Sequence, residues 1–278
     1  MQNIISELFS YDFIIRAVAV GMMVSLCASL LGVSLVLKRY SMIGDGLGHV
    51  AFGALCVAVA FNVAPLLVSV PVVISAAVVL LRMRSNVKIK GDAAIAVISS
   101  SALAIGIIAT SLTKGMNIDI YNYMFGSILA MSVQDVYLGI GLSASVLLLF
   151  ILLYNVIFAI TFDEDFARAT GIKVDFFNTL IAVLTAVTIV VGMRIMGTLL
   201  ISSLIVFPAL TSMRLCSSFK NVVICSGIVS SICFFLGILF SYSFEVPVGA
   251  SIVVLNLAAF VLFFIAGSVQ KHFHSEEW

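Results

Sequence analysis

The stretch Lys38-Arg39-Tyr40-Ser41-Met42-Ile43-Gly44-Asp45-Gly46-Leu47-Gly48-His49 lies between two apolar runs, Phe13 to Leu37 and Gly46 to Phe61. If both runs cross a membrane, Lys38 and Arg39 fall in the connection and Asp45 and His49 open the second span. Ionisable side chains at that depth are expensive unless they are paired or functional. A spacing of four on a helix stacks both on one face, within reach of a shared ligand. A carboxylate oxygen beside an imidazole nitrogen is a donor set suited to Zn²⁺ or Mn²⁺. At about 100° per residue Cys56 joins the stripe, giving a column of oxygen, nitrogen and sulfur about 16 Å long. The competing reading is that Asp45 and His49 only hydrogen-bond a neighbouring helix, and that Cys56, a lone intramembrane cysteine, only packs. Glycines at 44, 46, 48 and 53 offer a surface that another helix, or the same helix of a second copy, can approach closely.

The composition sets the stage for that pair. Hydrophobic residues make up 63% of the chain and charged ones 10%, against about half and about a quarter in soluble domains. The expected fold is an all-α polytopic membrane helix bundle forming a single transmembrane domain over residues 1–278. Runs of spanning character lie at Phe13 to Leu37, Gly46 to Phe61, Ala64 to Leu81, Ala93 to Leu112 and Val136 to Ile160. Four more lie at Phe176 to Val191, Gly197 to Met213, Val222 to Tyr242 and Val246 to Gly267. That makes about nine spans, or eight if Gly46 to Phe61 is re-entrant. With nine, and the N-terminus outside, only Arg16, Lys114 and Arg194 stay external, and the other Lys and Arg fall on the cytoplasmic side, as the positive-inside rule requires. With eight, Lys38 and Arg39 move outside. The first run is expected to remain as a span, because no basic region precedes it.

Other classes are excluded by what the sequence lacks. A net charge of +1 gives no global attraction to nucleic acid. Cys27, Cys56, Cys216, Cys225 and Cys233 stand singly in apolar surroundings with no CxxC spacing, so they read as small buried hydrophobes. Walker, HExxH and GxSxG motifs are missing, and no second strong aspartate faces Asp45 for protease chemistry. The chain is expected to be non-catalytic, with any ATPase on another polypeptide.

Several further segments are more than span or linker. Phe162 to Val174 begins Phe-Asp-Glu-Asp-Phe and reaches Gly171, the pattern of a short helix with acidic residues in its first turn and a glycine terminator. Lys114 to Asp135 is polar and external, with tyrosines suited to an interfacial belt and an apolar Met124 to Met131 too short to span, a re-entrant or lid helix. Gly197 to Pro208 carries hydroxyls and a proline, which usually mean close packing and a kink. Arg82 to Lys90 reads as topology and headgroup contact. His272 and His274 carry no assigned site.

Ser41-Met42-Ile43-Gly44-Asp45-Gly46-Leu47-Gly48-His49, Phe125-Gly126-Ser127-Ile128-Leu129, the Asp163 to Gly171 loop, and Gly197-Thr198-Leu199-Leu200 with Pro208 together resemble the permease subunits of bacterial ABC importers for zinc and manganese. The resemblance runs over nearly the whole length. It implies a homodimer in a bacterial inner membrane, an ABC ATPase subunit on the cytoplasmic side, and an extracytoplasmic metal-binding protein that delivers the ion. It also implies that the metal is cargo rather than a resident cofactor. Asp45 and His49 become the metal-gating pair, with Cys56 a lesser candidate. Asp163 to Gly171 becomes the coupling helix, with Asp163, Glu164, Phe166, Ala167 and Gly171 as its residues. The position of Gly48 is often serine in such sequences, and glycine there is expected to loosen packing without removing a ligand. The wording of Gly46 to Gly53 leans to zinc. The alternative is a secondary metal transporter or channel that uses no ATP.

Overall fold

The structure is a computed structural model and describes residues 12–85, 91–113 and 133–275. Those residues form eleven helices. Helix α1 (Asp12–Leu37) and α2 (Ser41–Ala60) are joined by only three residues. The join is a tight helix end: the Tyr40 N–H donates to Leu35 O at 2.7 Å and the Arg39 N–H to Val36 O at 3.0 Å, the two reverse bonds that close a helix C-terminus. Arg39 takes the left-handed φ of 59° that this turn demands, a conformation side-chain-bearing residues adopt at a cost.

Helices α3 (Pro65–Ser85) and α4 (Gly91–Leu112) follow, then α5 (Val133–Leu152) and α6 (Tyr154–Phe162), which is bent from α5 by 69°. A short α7 (Glu164–Ala169) leads to α8 (Val174–Met196), α9 (Thr198–Ser212), α10 (Phe219–Phe244) and α11 (Val248–Ser275). Seven helices are long and apolar enough to cross a membrane, α1, α2, α3, α4, α8, α10 and α11, and the bent α5–α6 pair makes eight. That is the lower end of the sequence expectation. The run at Gly197 to Met213 accounts for the difference in count: it folds as a 15-residue helix, shorter than the roughly 20 residues usual for a span, yet it returns the chain from the end of α8 to the end where Phe219 joins Val174 and Ala167. Gly197 sits at φ 85°, ψ 163°, a region open essentially to glycine alone. The chain doubles back there, so that Ile201 lies against Gly192 and α9 is packed inside the bundle against α1, α2, α10 and α11.

The re-entrant alternative for Gly46 to Phe61 fails on two counts. Helix α2 is full length at 20 residues, and Lys38 pairs with Glu164 at 2.7 Å. The α1–α2 turn and the α7 loop therefore lie at one end of the bundle, as they must if α2, α3, α4 and α5–α6 each cross once. The segment Lys114 to Asp135, expected from the sequence to be external and including Phe125 to Leu129, lies outside the described residues save for the start of α5, as do residues 86–90 of the basic loop.

Two apolar clusters hold the bundle. The larger joins Val20 and Val24 of α1 to Leu47 and Phe52 of α2, Met193 of α8, Leu200 of α9 and Phe234 of α10. The smaller gathers Leu31, Ile157, Ile160, Ala167, Val174 and Phe219, and so seats α7 on α1, α6, α8 and α10. Helices α3, α4 and α11 stand at the periphery, mostly exposed, whereas α2 is the most buried of the seven candidate spans although it is the least apolar. Its glycines explain this. At Gly53 an added Cβ would strike the carbonyl oxygen of Ala102, and a Cβ on Gly106 would fall 2.7 Å from Gly53 Cα. Helices α2 and α4 are thus in backbone contact.

Candidate metal path and coupling segment

Asp45 and His49 stand one turn apart on α2, with Asp45 Oδ2 at 3.7 Å from His49 Nε2. That separation is too long for a hydrogen bond. It is close to the distance an ion would impose, since a tetrahedral Zn²⁺ with bonds of about 2.0–2.1 Å holds its donors about 3.3–3.4 Å apart. The aspartate side chain is 51% exposed and the histidine 37%, although the residues between them, Gly46, Leu47 and Gly48, are buried. The pair therefore looks outward from an otherwise buried helix. Met42, one turn earlier, shares the open face at 55% exposure.

Cys56 does not reach that face. The helical spacing placed it on the same stripe, but by that level α4 covers the stripe: Cys56 is fully buried and its Cβ is 3.2 Å from where a Cβ on Gly106 would lie. Among the described residues no group of three or more His, Cys, Asp or Glu is placed to hold a metal. One chain thus offers two donors, one oxygen and one nitrogen. Gly48 lies beside α9, and a Cβ there would meet Ser202 Oγ at 3.5 Å, an ordinary contact, so a serine fits. The three serines of α9 serve their own helix: Ser202 donates to Thr198 O, Ser203 to Leu200 O and Ser212 to Pro208 O, at 2.8–3.1 Å.

The second sequence-singled segment folds as expected from its caps. Asp163 is the N-cap of α7 and accepts from the Phe166 N–H at 2.9 Å. Glu164 and Asp165 occupy the first turn, where acidic side chains favour the helix dipole. Gly171, at φ 89°, closes the other end, with Ile172 N–H donating to Ala167 O and Gly171 N–H to Arg168 O. Ala167 points into the smaller core at 0% exposure, while Phe166 stands outward at 64%. A six-residue helix thus presents one bare aromatic at the end of the bundle.

Two polar residues beside it had no signal in the sequence. Lys38, read there only for topology, is buried with 7% of its side chain exposed and pairs with Glu164 at 2.7 Å. Its Nζ also donates to Asn178 Oδ1 at 2.5 Å, and Asn178 Nδ2 donates to Glu164 Oε1 at 3.2 Å. Partial burial pushes the Glu164 carboxyl up, but the hydrogen bond and charge of Lys38, with Asn178 and Arg168, outweigh it and hold the group below the usual carboxylate range.

Known proteins share this architecture. The model of the ABC 3 transport family matches residues 10–267. The chain is 28% identical to the manganese import system permease protein ScaB of Streptococcus gordonii, over 98% of each sequence. It is also 28% identical to the high-affinity zinc uptake system membrane protein ZnuB of Haemophilus influenzae, over 91% of this chain and 97% of that one. Among solved structures, PsaBC from Streptococcus pneumoniae in complex with Fab superposes with a TM-score of 0.85 at 29% identity, covering 95% of both chains. A buried bundle of seven or eight spans, an outward Asp–His pair and matches over nearly the full length agree on one conclusion: this chain belongs to the ABC 3 transport family, and it is a metal-ion ABC permease.

Proposed function

We propose that the chain passes Zn²⁺, and next in preference Mn²⁺, across the inner membrane of a bacterium, from an extracytoplasmic binding protein to the cytoplasm, with ATP hydrolysed on a separate subunit. The observation that carries this reading is the Asp45–His49 pair. A carboxylate and an imidazole, 3.7 Å apart and facing outward from the most buried span, are a ligand set without a complete shell. Zn²⁺ takes about four ligands, so two copies meeting over this face supply two oxygens and two nitrogens. The same meeting removes a carboxylate and an imidazole from lipid, where each is costly. A borderline-soft ion suits imidazole better than a hard one does, which orders zinc before manganese. Phe166 and the first turn of α7 are the surface offered to the ATPase, because an aromatic seated in a pocket dominates small interfaces.

The test is ATP hydrolysis by the reconstituted complex across Zn²⁺, Mn²⁺ and Fe²⁺. Zinc is expected to stimulate most, and the stimulation is expected to vanish in Asp45→Asn. Metal movement into liposomes by the purified chain alone, without ATP, would overturn the proposal.

A further inference from the structure

We propose that Lys38, Glu164 and Asn178 form a clamp that transmits movement of α7 to the N-terminal end of α2, and through it to Asp45 and His49. The inference rests on the reading of α7 as the segment that meets an ATPase. The three are positioning residues and none of them touches the metal.

Each link is short. The Lys38 ammonium is withdrawn from water, and a buried charge is tolerable only when paired and hydrogen-bonded. Its two described acceptors are Glu164, the first residue of α7, and Asn178, in the first turns of α8. The acceptors are themselves bonded through Asn178 Nδ2, so the three groups form a closed triangle rather than a chain of two. Displacing Glu164 without Lys38 would strand the ammonium. The α1–α2 connection that carries Lys38 has three residues and a left-handed arginine, which leaves little slack to absorb a pull. Helix α2 then runs unbroken, putting Asp45 about 6 Å and His49 about 12 Å of helical rise from Ser41. A helix end moved through a stiff turn moves the side chains two turns along it, and rigid elements of this kind carry coupling between sites.

The surroundings allow the turn to shift. A small cavity lies beneath Lys38, lined by Ser34, Tyr40, Ile43, Asn178 and Thr185 among others. The Ser34 hydroxyl, fully buried, has no hydrogen-bond partner among the described residues. The room is local to the turn: from Gly44 onward α2 is closely packed, Gly44 against Ile205 and Gly46 against Ile95, so a shift of the turn is passed along the helix.

A staple that merely holds the fold would change yield or melting; a transmitting clamp changes how much metal each ATP moves. The experiment reconstitutes the permease with its ATPase and binding protein in liposomes and measures Zn²⁺ transported per ATP hydrolysed. In Lys38→Met the ATPase is expected to co-purify at wild-type yield, while the ratio falls at least about fivefold, the lower end of energetic coupling between sites. Glu164→Lys alone should fall likewise, and the exchange Lys38→Glu with Glu164→Lys should restore the ratio. A wild-type ratio in Lys38→Met overturns the clamp, and so does an exchange that restores nothing while both single changes fail. If Lys38→Met does not accumulate, Asn178→Leu, which keeps the ion pair, is read in its place: a lowered ratio supports the clamp and an unchanged one overturns it. The docking of α7 is judged separately by whether the ATPase co-purifies with Phe166→Ala, so a failed clamp and a failed docking surface give different results.

Discussion

Asp45 and His49 both look outward from α2, so in the proposed metal path they would act through lone pairs and charge, not through packing. Asp45→Asn and His49→Ala are therefore expected to abolish Zn²⁺ uptake while the complex assembles at wild-type yield; uptake at the wild-type rate would reduce the pair to a polar contact. Cys56 is the opposite case, a thiol sealed against Gly106. Cys56→Ser should leave transport largely intact and lower the melting temperature modestly, since it buries a hydroxyl in an apolar contact. The glycines divide in the same way. Gly48→Ser meets only Ser202 at contact distance and should be silent in transport and melting, whereas Gly53→Ala drives a methyl into the Ala102 carbonyl and should cost about 1–3 kcal/mol in a denaturation assay, the usual price of overpacking. Glu164 adds a pH dependence of known sign. Its carboxyl is held below the usual range, so the stability it contributes is present above the ordinary carboxylate pKa of about 4.3 and is lost only as pH falls through the depressed value.

At the scale of elements, α7 is the segment whose design can be tested alone. Ala167 anchors it in the smaller core and Phe166 projects from it, so Phe166→Ala removes contact area without disturbing the fold. Co-purification of the ATPase should drop, and membrane insertion should not; wild-type yield together with a metal-responsive rate would make α7 a linker. Its caps were legible in the sequence because Asp163 and Gly171 act on neighbours three to five residues away. The long apolar runs were legible for the same reason, each being a local pattern. What could not be read was any pairing across the bundle. Lys38 meets Glu164 and Asn178 only because four spans bring the chain back to the same end. The wheel gave Cys56 its correct side of α2 but knew nothing of α4, whose backbone approaches at Gly53 and buries that side. The start of α9 follows from one residue, Gly197 at φ 85°, which turns the chain back into the bundle; hydropathy registers the run as apolar and carries no sign of that turn.

For the whole molecule the decisive imbalance is on the outside. A half-exposed aspartate and a part-exposed histidine, with Met42 beside them, form a face unsuited to lipid on the one helix that is otherwise the most enclosed. Two identical faces related by a twofold axis solve both deficits at once, hiding the polar groups and raising two donors to four. A closed twofold contact is also the commonest way identical chains associate. If that arrangement holds, Met42 of one copy approaches the same face of the other. Met42→Cys, in a chain whose other cysteines are replaced by serine or alanine, should then yield a covalent dimer on mild oxidation in native membranes. Zn²⁺ added beforehand should change the yield, because an ion held by both copies fixes the distance between them. A chain that stays monomeric by mass in detergent and gives no cross-link in membranes would leave the Asp45–His49 pair with only two ligands. Four donors from two copies would then be ruled out as the way the metal is held.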